Sequence, residues 1–317
     1  MRIPFSLPAQ SARPYDVVGL GENSVDLVAV VAEFPTPNSK HRLERFAQLP
    51  GGQIATALAV CARLGWRARY LGSFGDDAFG VLSRESLSGH SVDVSAARIV
   101  AGATNRVAVV LVDARSGERT VLWDRHPDLA MTPAHVPQEA VTSGRLLIVD
   151  CQDPAASVQA ARDAKAAGVP TIVDVDTVGP GIGDLLQNID AIITARAFPA
   201  AFTGHEDLGR ALETIGREFA ARLVCVTLGS EGSLAWCNGR EIRTPAFPVD
   251  CVDSTGAGDA FRGGIAAACL LMPDGELEDV LLYAHAVAAL NCRALGARGS
   301  MPTAGEVERL LSARREM

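Results

Sequence analysis

The sequence predicts an α/β protein with a mainly parallel central sheet that is covered by helices on both faces. Two observations in the second half of the chain support this fold class. Helices rich in small residues separate short, continuously apolar strands, as in the helix predicted at Ala155–Ala167. The strands also lack the alternation of apolar and polar residues that marks a half-exposed sheet, so both faces should be buried. These strands are Leu146–Asp150, Pro170–Asp174, Ala191–Thr194 and Leu223–Leu228.

The first half of the chain contains strands of a different kind. His41–Leu49 mixes polar and apolar residues and should be exposed on one face, and the Pro-rich Glu33–Arg42 before it reads as a loop. Ala103–Asp113 and Arg119–Asp124 should form a hairpin around residues 114–117. The other elements expected here are strands Tyr15–Gly19, Val25–Val31 and Ala68–Gly72 and helices Gln53–Leu64 and Asp77–Gly89.

Composition excludes several classes of protein. The 317 residues carry a net charge of -8, so neither nucleic acid nor an anionic membrane would be attracted by the overall charge. No apolar run reaches the ~18 residues that a membrane span needs. The cysteine count is seven, and no pair has C-x-x-C spacing. This usage predicts reduced thiols in a cytoplasmic protein, and residues 1–14 lack the apolar region of a signal peptide.

The most informative motif is Asp253–Phe261, which reads D-S-T-G-A-G-D-A-F and leads into an apolar helix ending at Leu271. Glycines around an alanine allow a tight turn that presents consecutive N–H groups. At a helix N-terminus such groups bind anions, and the helix dipole adds to the attraction. Asp259 could accept a proton from a hydroxyl that attacks phosphorus, or serve only as an N-terminal charge.

This motif resembles the C-terminal signature of the PfkB/ribokinase family of carbohydrate and nucleoside kinases. The resemblance implies a ribokinase-like three-layer α/β/α sandwich with a small β-sheet lid. It also implies that Asp259 is the catalytic base and that the backbone of Gly256, Ala257 and Gly258 forms an anion hole. We expect one domain over residues 15–311, lid strands inserted at about 22–49 and 103–124, and a loose extension over residues 1–14.

A second match concerns the acceptor. Pro50-Gly51-Gly52, before a helix of small residues, resembles the N-terminal Gly-Gly signature of the family, where backbone amides approach the sugar. Asp26 stands where the family places an acid that binds sugar hydroxyls, with Ser24 and Gln53 as weaker candidates. The usual Asn after the glycines is Thr56 here, so that sugar contact departs from the family pattern.

The remaining matches concern the nucleotide and cations. Thr227, Gly229 and Gly232 resemble the turn at the family's nucleotide site, and His285 stands where relatives often contact adenine. Asp253 and the loop at residues 296–300, with Ser300, match the places that hold a monovalent cation such as K⁺. The family's N-x-x-E motif is absent from residues 193–199, so Mg²⁺ would be held by the nucleotide phosphates.

Several charged residues have a less specific interpretation. Asp174 and Asp176 follow a strand as D-x-D, for which loop capping is favoured over metal binding. Surface ion pairs are the default for Arg106, Arg119 and Arg125, although one of them would clamp an acceptor that carries an anion. For Arg262, just after Asp259, the sequence leaves two roles open, namely contact with the phosphates or exposure to solvent.

Together these features predict an ATP-dependent kinase that phosphorylates a hydroxyl of a sugar or sugar-like acceptor. Lid closure would exclude water, which would otherwise take the phosphoryl group. Two alternatives remain, namely a nucleoside kinase of the same fold and a non-catalytic protein that senses a sugar or nucleotide. The low aromatic content of 5% offers few platforms for a base and weighs against nucleosides. Exposed lid edges predict a homodimer that forms through the lid.

Overall fold

The computed structural model describes residues 1–115 and 119–315, and its core is an eight-stranded sheet between two helical layers. Six neighbouring strands run parallel, and β13 and β14 extend one edge in antiparallel fashion. The order is β14-β13-β12-β11-β10-β9-β1-β4. The strands are β1 Val17–Leu20, β4 Ala68–Leu71, β9 Leu146–Asp150, β10 Thr171–Val175, β11 Ala191–Thr194, β12 Leu223–Thr227, β13 Ser233–Cys237 and β14 Arg240–Thr244.

Helices cover both faces of this sheet, as the apolar strands predict. In β9, Leu146 and Ile148 point into one core, whereas Leu147 and Val149 point into the other. The first core is packed mainly by α1, α8, α9 and α10, and the second mainly by α3, α4, α5 and α7. The helices are α1 Gln53–Arg63, α2 Ala78–Gly89, α3 Gln138–Val141, α4 Pro154–Ala166, α5 Ile182–Leu186, α6 Phe198–Thr203, α7 Leu208–Glu218, α8 Ala257–Leu271, α9 Leu277–Asn291 and α10 Ala304–Arg315.

A separate four-stranded sheet forms the lid, in the order β3-β2-β7-β8. Its central pair is parallel and its outer pairs are antiparallel. The lid strands are β2 Ser24–Val31, β3 Arg45–Gly51, β7 Val107–Asp113 and β8 Arg119–Asp124, and a small parallel pair is formed by β5 Ser73–Gly75 and β6 Arg98–Val100. The β7–β8 pairing agrees with the predicted hairpin, of whose turn Ser116 and Gly117 lie outside the described residues.

The prediction of a loose N-terminal extension is wrong, because residues 1–14 pack against the main domain. Phe5 is buried as part of the first core, and it lines a surface cavity together with Pro170, Asp190 and Arg222. The amide of Ile3 donates to the carbonyl of Gly275, and Arg145 Nε donates to the carbonyl of Pro8 at 2.8 Å. Burial of an aromatic ring and long-range hydrogen bonds therefore hold a segment that has no regular pattern of its own.

Two other sequence features have structural outcomes. All seven cysteines are unpaired, and only Cys251 is exposed. None of the helices in the described residues has an apolar stretch long enough to cross a bilayer.

Candidate active site

A cavity of about 140 Å³ lies where the lid meets loops of the central domain. Gln152 and Asp176 reach it from the carboxyl ends of β9 and β10, where open α/β sheets bind ligands. Its lining comes from residues widely separated in sequence. They are Glu22, Ser24, Asp26, Gly52, Gln53, Arg106, Ala108, Val110, Val121, Gln152, Asp176, Thr255, Asp259 and Ala297.

The glycine-rich loop enters this site just before α8. Gly256 has a left-handed φ of 74°, and a Cβ there would lie 2.6 Å from the Cα of Ala297, so no larger residue fits. The amide of Ala257 donates to the carbonyl of Ser254 at 3.2 Å. In the described part of the chain, the amides of Gly256 and Gly258 donate to no protein acceptor. Two of the three amides predicted for an anion hole are thus free to bind a ligand.

Asp259 lines the cavity from the first turn of α8. Burial raises the pKa of Asp259 to about 6, Arg262 opposes this rise, and the negative charge of Asp26 adds to it. A pKa close to neutrality suits a general base, because the group is ionised at working pH and still accepts a proton readily. The geometry and electrostatics at this position therefore fit proton removal from an acceptor hydroxyl.

Arg262 holds Asp259 in place and lies below the surface of the site. Arg262 Nη1 donates to Asp259 Oδ1 at 3.0 Å, and its Nη2 forms an ion pair with Asp174 Oδ1. The Arg262 side chain is 7% exposed and that of Asp174 is fully buried. Of the two roles left open by the sequence, exposure to solvent does not apply. Loop capping, expected for Asp174, is also wrong, because its carboxylate binds a guanidinium.

The acceptor side of the cavity is built around Asp26 in β2. This carboxylate is buried, which raises its pKa, and Ser24 Oγ donates to Asp26 Oδ1 at 2.8 Å. A Cβ on Gly51 would lie 2.7 Å from Asp26 Cγ, and a Cβ on Gly52 would lie 2.8 Å from the carbonyl oxygen of Glu22. The Gly-Gly pair thus lets the backbone approach the acid closely.

Two residues at the start of α1 differ in their contacts, because only one of them lines the cavity. Gln53 lines the cavity, and its Nε2 donates to Asp176 Oδ2 at 2.9 Å. Thr56 is fully buried and accepts a hydrogen bond from Arg298 Nε at 3.2 Å. Its burial and its hydrogen bond from Arg298 weigh against the predicted contact between Thr56 and the sugar.

The structure adds site residues that the sequence did not single out. Glu22 is buried in the cavity wall, where burial raises its pKa to about 8 although Arg106 opposes the rise. Arg106 Nε lies 2.7 Å from Glu22 Oε1, and its guanidinium lies over the ring of Trp123. Arg106 is thus part of the cavity and not a surface pair. Asp176 also lines the cavity instead of capping a loop; its D-x-D position at a strand end was the available signal.

The other two lid arginines bind neighbouring loops. Arg125 forms an ion pair with Asp153 at 2.6 Å and is mostly buried. Arg119 Nη1 donates to Ser254 Oγ at 2.8 Å, so it reaches from β8 to the loop before the anion hole. Neither contact is the surface ion pair expected by default.

The predicted nucleotide residues lie in two places, at the carboxyl end of β12 and in α9. Thr227 ends that strand, and Gly229 and Gly232 have left-handed φ values of 63° and 93° in the turn that follows. His285 is 5% exposed, and its Nε2 is paired with Ser233 Oγ at 2.8 Å. Burial lowers the pKa of His285 to about 4, so the ring is neutral. The enclosed position of the ring weighs against the predicted contact of His285 with adenine.

The two residues predicted for a cation site have different surroundings. Asp253 accepts hydrogen bonds from the amides of Thr255 and Gly296, each at 2.8 Å, and so joins the two loops. Ser300 lines a different cavity with Arg298. Within the ranges that the structure describes, no three His, Cys, Asp or Glu side chains form a metal-binding group. A role for K⁺ remains a prediction.

Comparisons with known proteins agree with the fold and identify a family. The profile of the pfkB family carbohydrate kinases matches residues 15–304. An ATP-dependent ribose-1-phosphate kinase of Halopiger xanaduensis is 33% identical over 302 residues, with 94% of this chain and 98% of that protein covered. A nucleoside kinase of Methanothermobacter thermautotrophicus is 27% identical over 310 residues, covering 94% and 96%.

A solved structure of Arabidopsis thaliana ribokinase, complexed with ribose and ATP, superposes with a TM-score of 0.81. It is 27% identical, and the match covers 94% of this chain and 98% of that one. The mostly parallel sheet, its two helical layers and the separate lid sheet are thus those of the ribokinase fold, as predicted. This chain belongs to the pfkB family of carbohydrate kinases.

Proposed function

We propose that the protein transfers the γ-phosphoryl group of ATP to a hydroxyl of a sugar or sugar-like acceptor, with Asp259 as the general base. The observation that carries this proposal is the meeting of Asp259, Asp26 and Gln53 in one cavity beside the free amides of Gly256 and Gly258. Asp26 and Gln53 bind the acceptor. Asp259 then lies within the same cavity, where an acceptor hydroxyl can reach it.

The proposed reaction is a direct transfer between two oxygens. Asp259 accepts the hydroxyl proton while the acceptor oxygen forms a bond to the γ-phosphorus. The bond from that phosphorus to the bridging oxygen breaks, and ADP leaves with the electron pair. The amides of Gly256 and Gly258 donate to the charged oxygens of the transferring group. Closure of the lid over the cavity keeps water away from the γ-phosphate.

Mg²⁺ would enter with the nucleotide and neutralise phosphate charge when bound. The nucleotide would lie beside Thr227, Gly229 and Gly232, at the carboxyl end of β12. For K⁺ we keep the proposal that carbonyls of the two loops joined by Asp253 would hold it.

A nucleoside is a second candidate acceptor, favoured by one observation. A larger cavity of about 490 Å³ shares Arg106, Val121, Gln152 and Asp176 with the acceptor cavity. Its wall includes Trp123, whose side chain is 60% exposed and can stack on a planar group. A single exposed indole can thus supply a stacking platform for a base, although the overall aromatic content is low.

The experiment that tests the proposal compares Asp259→Asn with the unchanged protein across a panel of sugars and nucleosides. We expect acceptor binding to persist while ADP formation falls by about 10²–10⁴-fold, the usual contribution of a general base. Asp128→Asn, at an exposed carboxylate outside the cavity, is the control. Near-normal turnover by the Asp259 variant would overturn the assignment, and ligand binding without ADP formation by the unchanged protein would indicate a sensor.

We also propose that the protein forms a homodimer through its lid. The outer strand β8 leaves Val121, Leu122 and Trp123 between 46% and 60% exposed, and Phe46 on the opposite edge strand β3 is 60% exposed. Uncovered strand edges with apolar side chains favour pairing with another chain. Light scattering should give twice the monomer mass, and a monomer alone would contradict the proposal.

A further inference from the structure

A second cavity, of about 340 Å³, collects positive charge away from the candidate active site. Its wall contains Arg63, His90, Arg293 and Arg298, together with Ser300. It shares no lining residue with the cavity that holds Asp259. This concentration of cations is unexpected in a chain whose net charge is -8.

Within the described residues, the arginines of this cavity form no close ion pair, although Arg63 acts on the charge of Glu306 in the same wall. In the described parts of the chain, no ion pair involves Arg63, Arg293 or Arg298. The one acidic wall residue, Glu306, accepts hydrogen bonds from the amide and hydroxyl of Thr303. Arg298 is only 9% exposed, and its guanidinium donates to three neutral oxygens, those of Thr56, Ser86 and Gly51. The negative charges of Asp26 and Asp259 favour its charged form, although neither carboxylate lies within ion-pair distance of it.

Helix ends explain part of the cluster but not all of it. Arg63 lies in the last turn of α1, where a cation complements the helix dipole. Arg298 lies in the loop between α9 and α10, so the dipole does not account for it. Burial and the charges of Arg298 and Arg63 lower the pKa of His90, and the neutral ring keeps one N–H to donate.

We propose that this cavity binds a phosphoryl group, either as inorganic phosphate or as part of a small phosphate ester. Guanidinium groups grip phosphate oxygens through paired donors, and two arginines here are exposed enough to close on a ligand. The volume lies at the lower end of the ~300–1,000 Å³ typical of ligand pockets. It leaves room for more than the phosphoryl group alone.

Arg298 connects this cavity with the acceptor site. Its Nη2 donates to the carbonyl of Gly51 at 2.7 Å, and its Nε donates to Thr56 Oγ1. Gly51 in turn packs against Asp26. A phosphoryl group on Arg298 would compete with these neutral acceptors, so its binding should change the affinity for the acceptor. This coupling rests on the proposed function, whereas the binding site does not.

Calorimetric titration of the full chain tests the site without ATP. Inorganic phosphate and ribose 5-phosphate are titrated separately in a buffer without other multivalent anions. Both should bind the unchanged protein, and the double variant Arg63→Gln/Arg293→Gln should bind at least about tenfold more weakly. Arg162→Gln, an exposed arginine on α4 in the opposite helical layer, should bind as the unchanged protein does.

The outcomes distinguish inorganic phosphate from a phosphate ester, and they test the binding site separately from its coupling to the acceptor. Tighter binding of ribose 5-phosphate supports an ester, and equal or tighter binding of phosphate supports the inorganic ion. No binding of either anion, or equal binding by the double variant, overturns the site. The coupling is tested by the acceptor KM with and without the anion. An unchanged KM overturns the coupling alone, and neither result depends on whether Asp259 is the base.

Discussion

Replacing Arg262 with methionine should move the pH dependence of turnover without removing any group that touches the acceptor. Arg262 is buried between two carboxylates and donates to Asp259 Oδ1 at 3.0 Å. Its charge favours the ionised form of Asp259, against the burial that raises the pKa of that carboxylate to about 6. If Asp259 is the base, as we propose, Arg262 is a positioning residue that also keeps it ionised.

The expected shift in the pKa of Asp259 follows from the loss of the Arg262 charge beside it. A pair of unit charges ~4 Å apart interacts by about 4 kcal/mol at an effective dielectric constant of ~20. In practice a neighbouring arginine lowers the pKa of an aspartate by about 1–3. Only ionised Asp259 accepts a proton, so activity is present above its pKa and lost as pH falls through it. If the pKa of Asp259 rises by about 2, the ionised fraction of Asp259 at pH 7 would fall from roughly 90% to roughly 10%.

The assay is the rate of ADP release between about pH 5 and pH 9.5. Loss of Arg262 alone leaves Asp174 buried without a partner, which typically costs about 3–5 kcal/mol. The variant is therefore made together with Asp174→Asn, which removes the stranded charge. Because ATP titrates identically in every reaction, any difference between profiles reports the protein. Arg196→Met, which breaks an exposed ion pair with Glu231, is the matched control.

The expected result is an acidic limb displaced to higher pH, with turnover largely recovered near pH 9. A merely structural role would lower turnover equally at every pH. If the folded double variant keeps the acidic limb of the Asp174→Asn single variant, which loses only the negative charge, then Arg262 does not tune Asp259. An equal shift of the acidic limb in the Arg196 variant would also contradict this role, because Arg196 does not contact Asp259.

Three further changes test other parts of the structure. Gly256→Ala would place a methyl group against Ala297 at a left-handed φ and should lower turnover and stability together, the latter by about 1–3 kcal/mol, as seen by chemical denaturation. His285→Ala should lower the free energy of unfolding by about 2–4 kcal/mol and leave the KM for ATP unchanged, since the ring pairs with Ser233 in the core. A raised KM for ATP with unchanged stability would instead support the contact between His285 and adenine. Phe5→Ala should cost about 3–5 kcal/mol in the same measurement, and no change would mean that the N-terminal segment is loose.

The parts of this protein that the sequence alone determined are local ones. Residues 253–261 predict a glycine-rich turn at a helix N-terminus from consecutive positions, because a turn and the helix that follows need only neighbouring residues. The apolar strands likewise predict burial on both faces, since period and composition report the environment of each residue. For the same reason the hairpin of β7 and β8 could be predicted, whereas the parallel pairing of β2 with β7 could not.

Tertiary structure decided which polar groups meet. Thr56 faces Arg298, which is 242 positions away in the chain, and Asp259 in α8 shares Arg262 with Asp174 in β10. Nothing in the residues around Thr56 indicates that a distant guanidinium will take its hydroxyl. Local patterns report burial and turn geometry, but the charge balance of a site depends on contacts that exist only after distant segments have packed together.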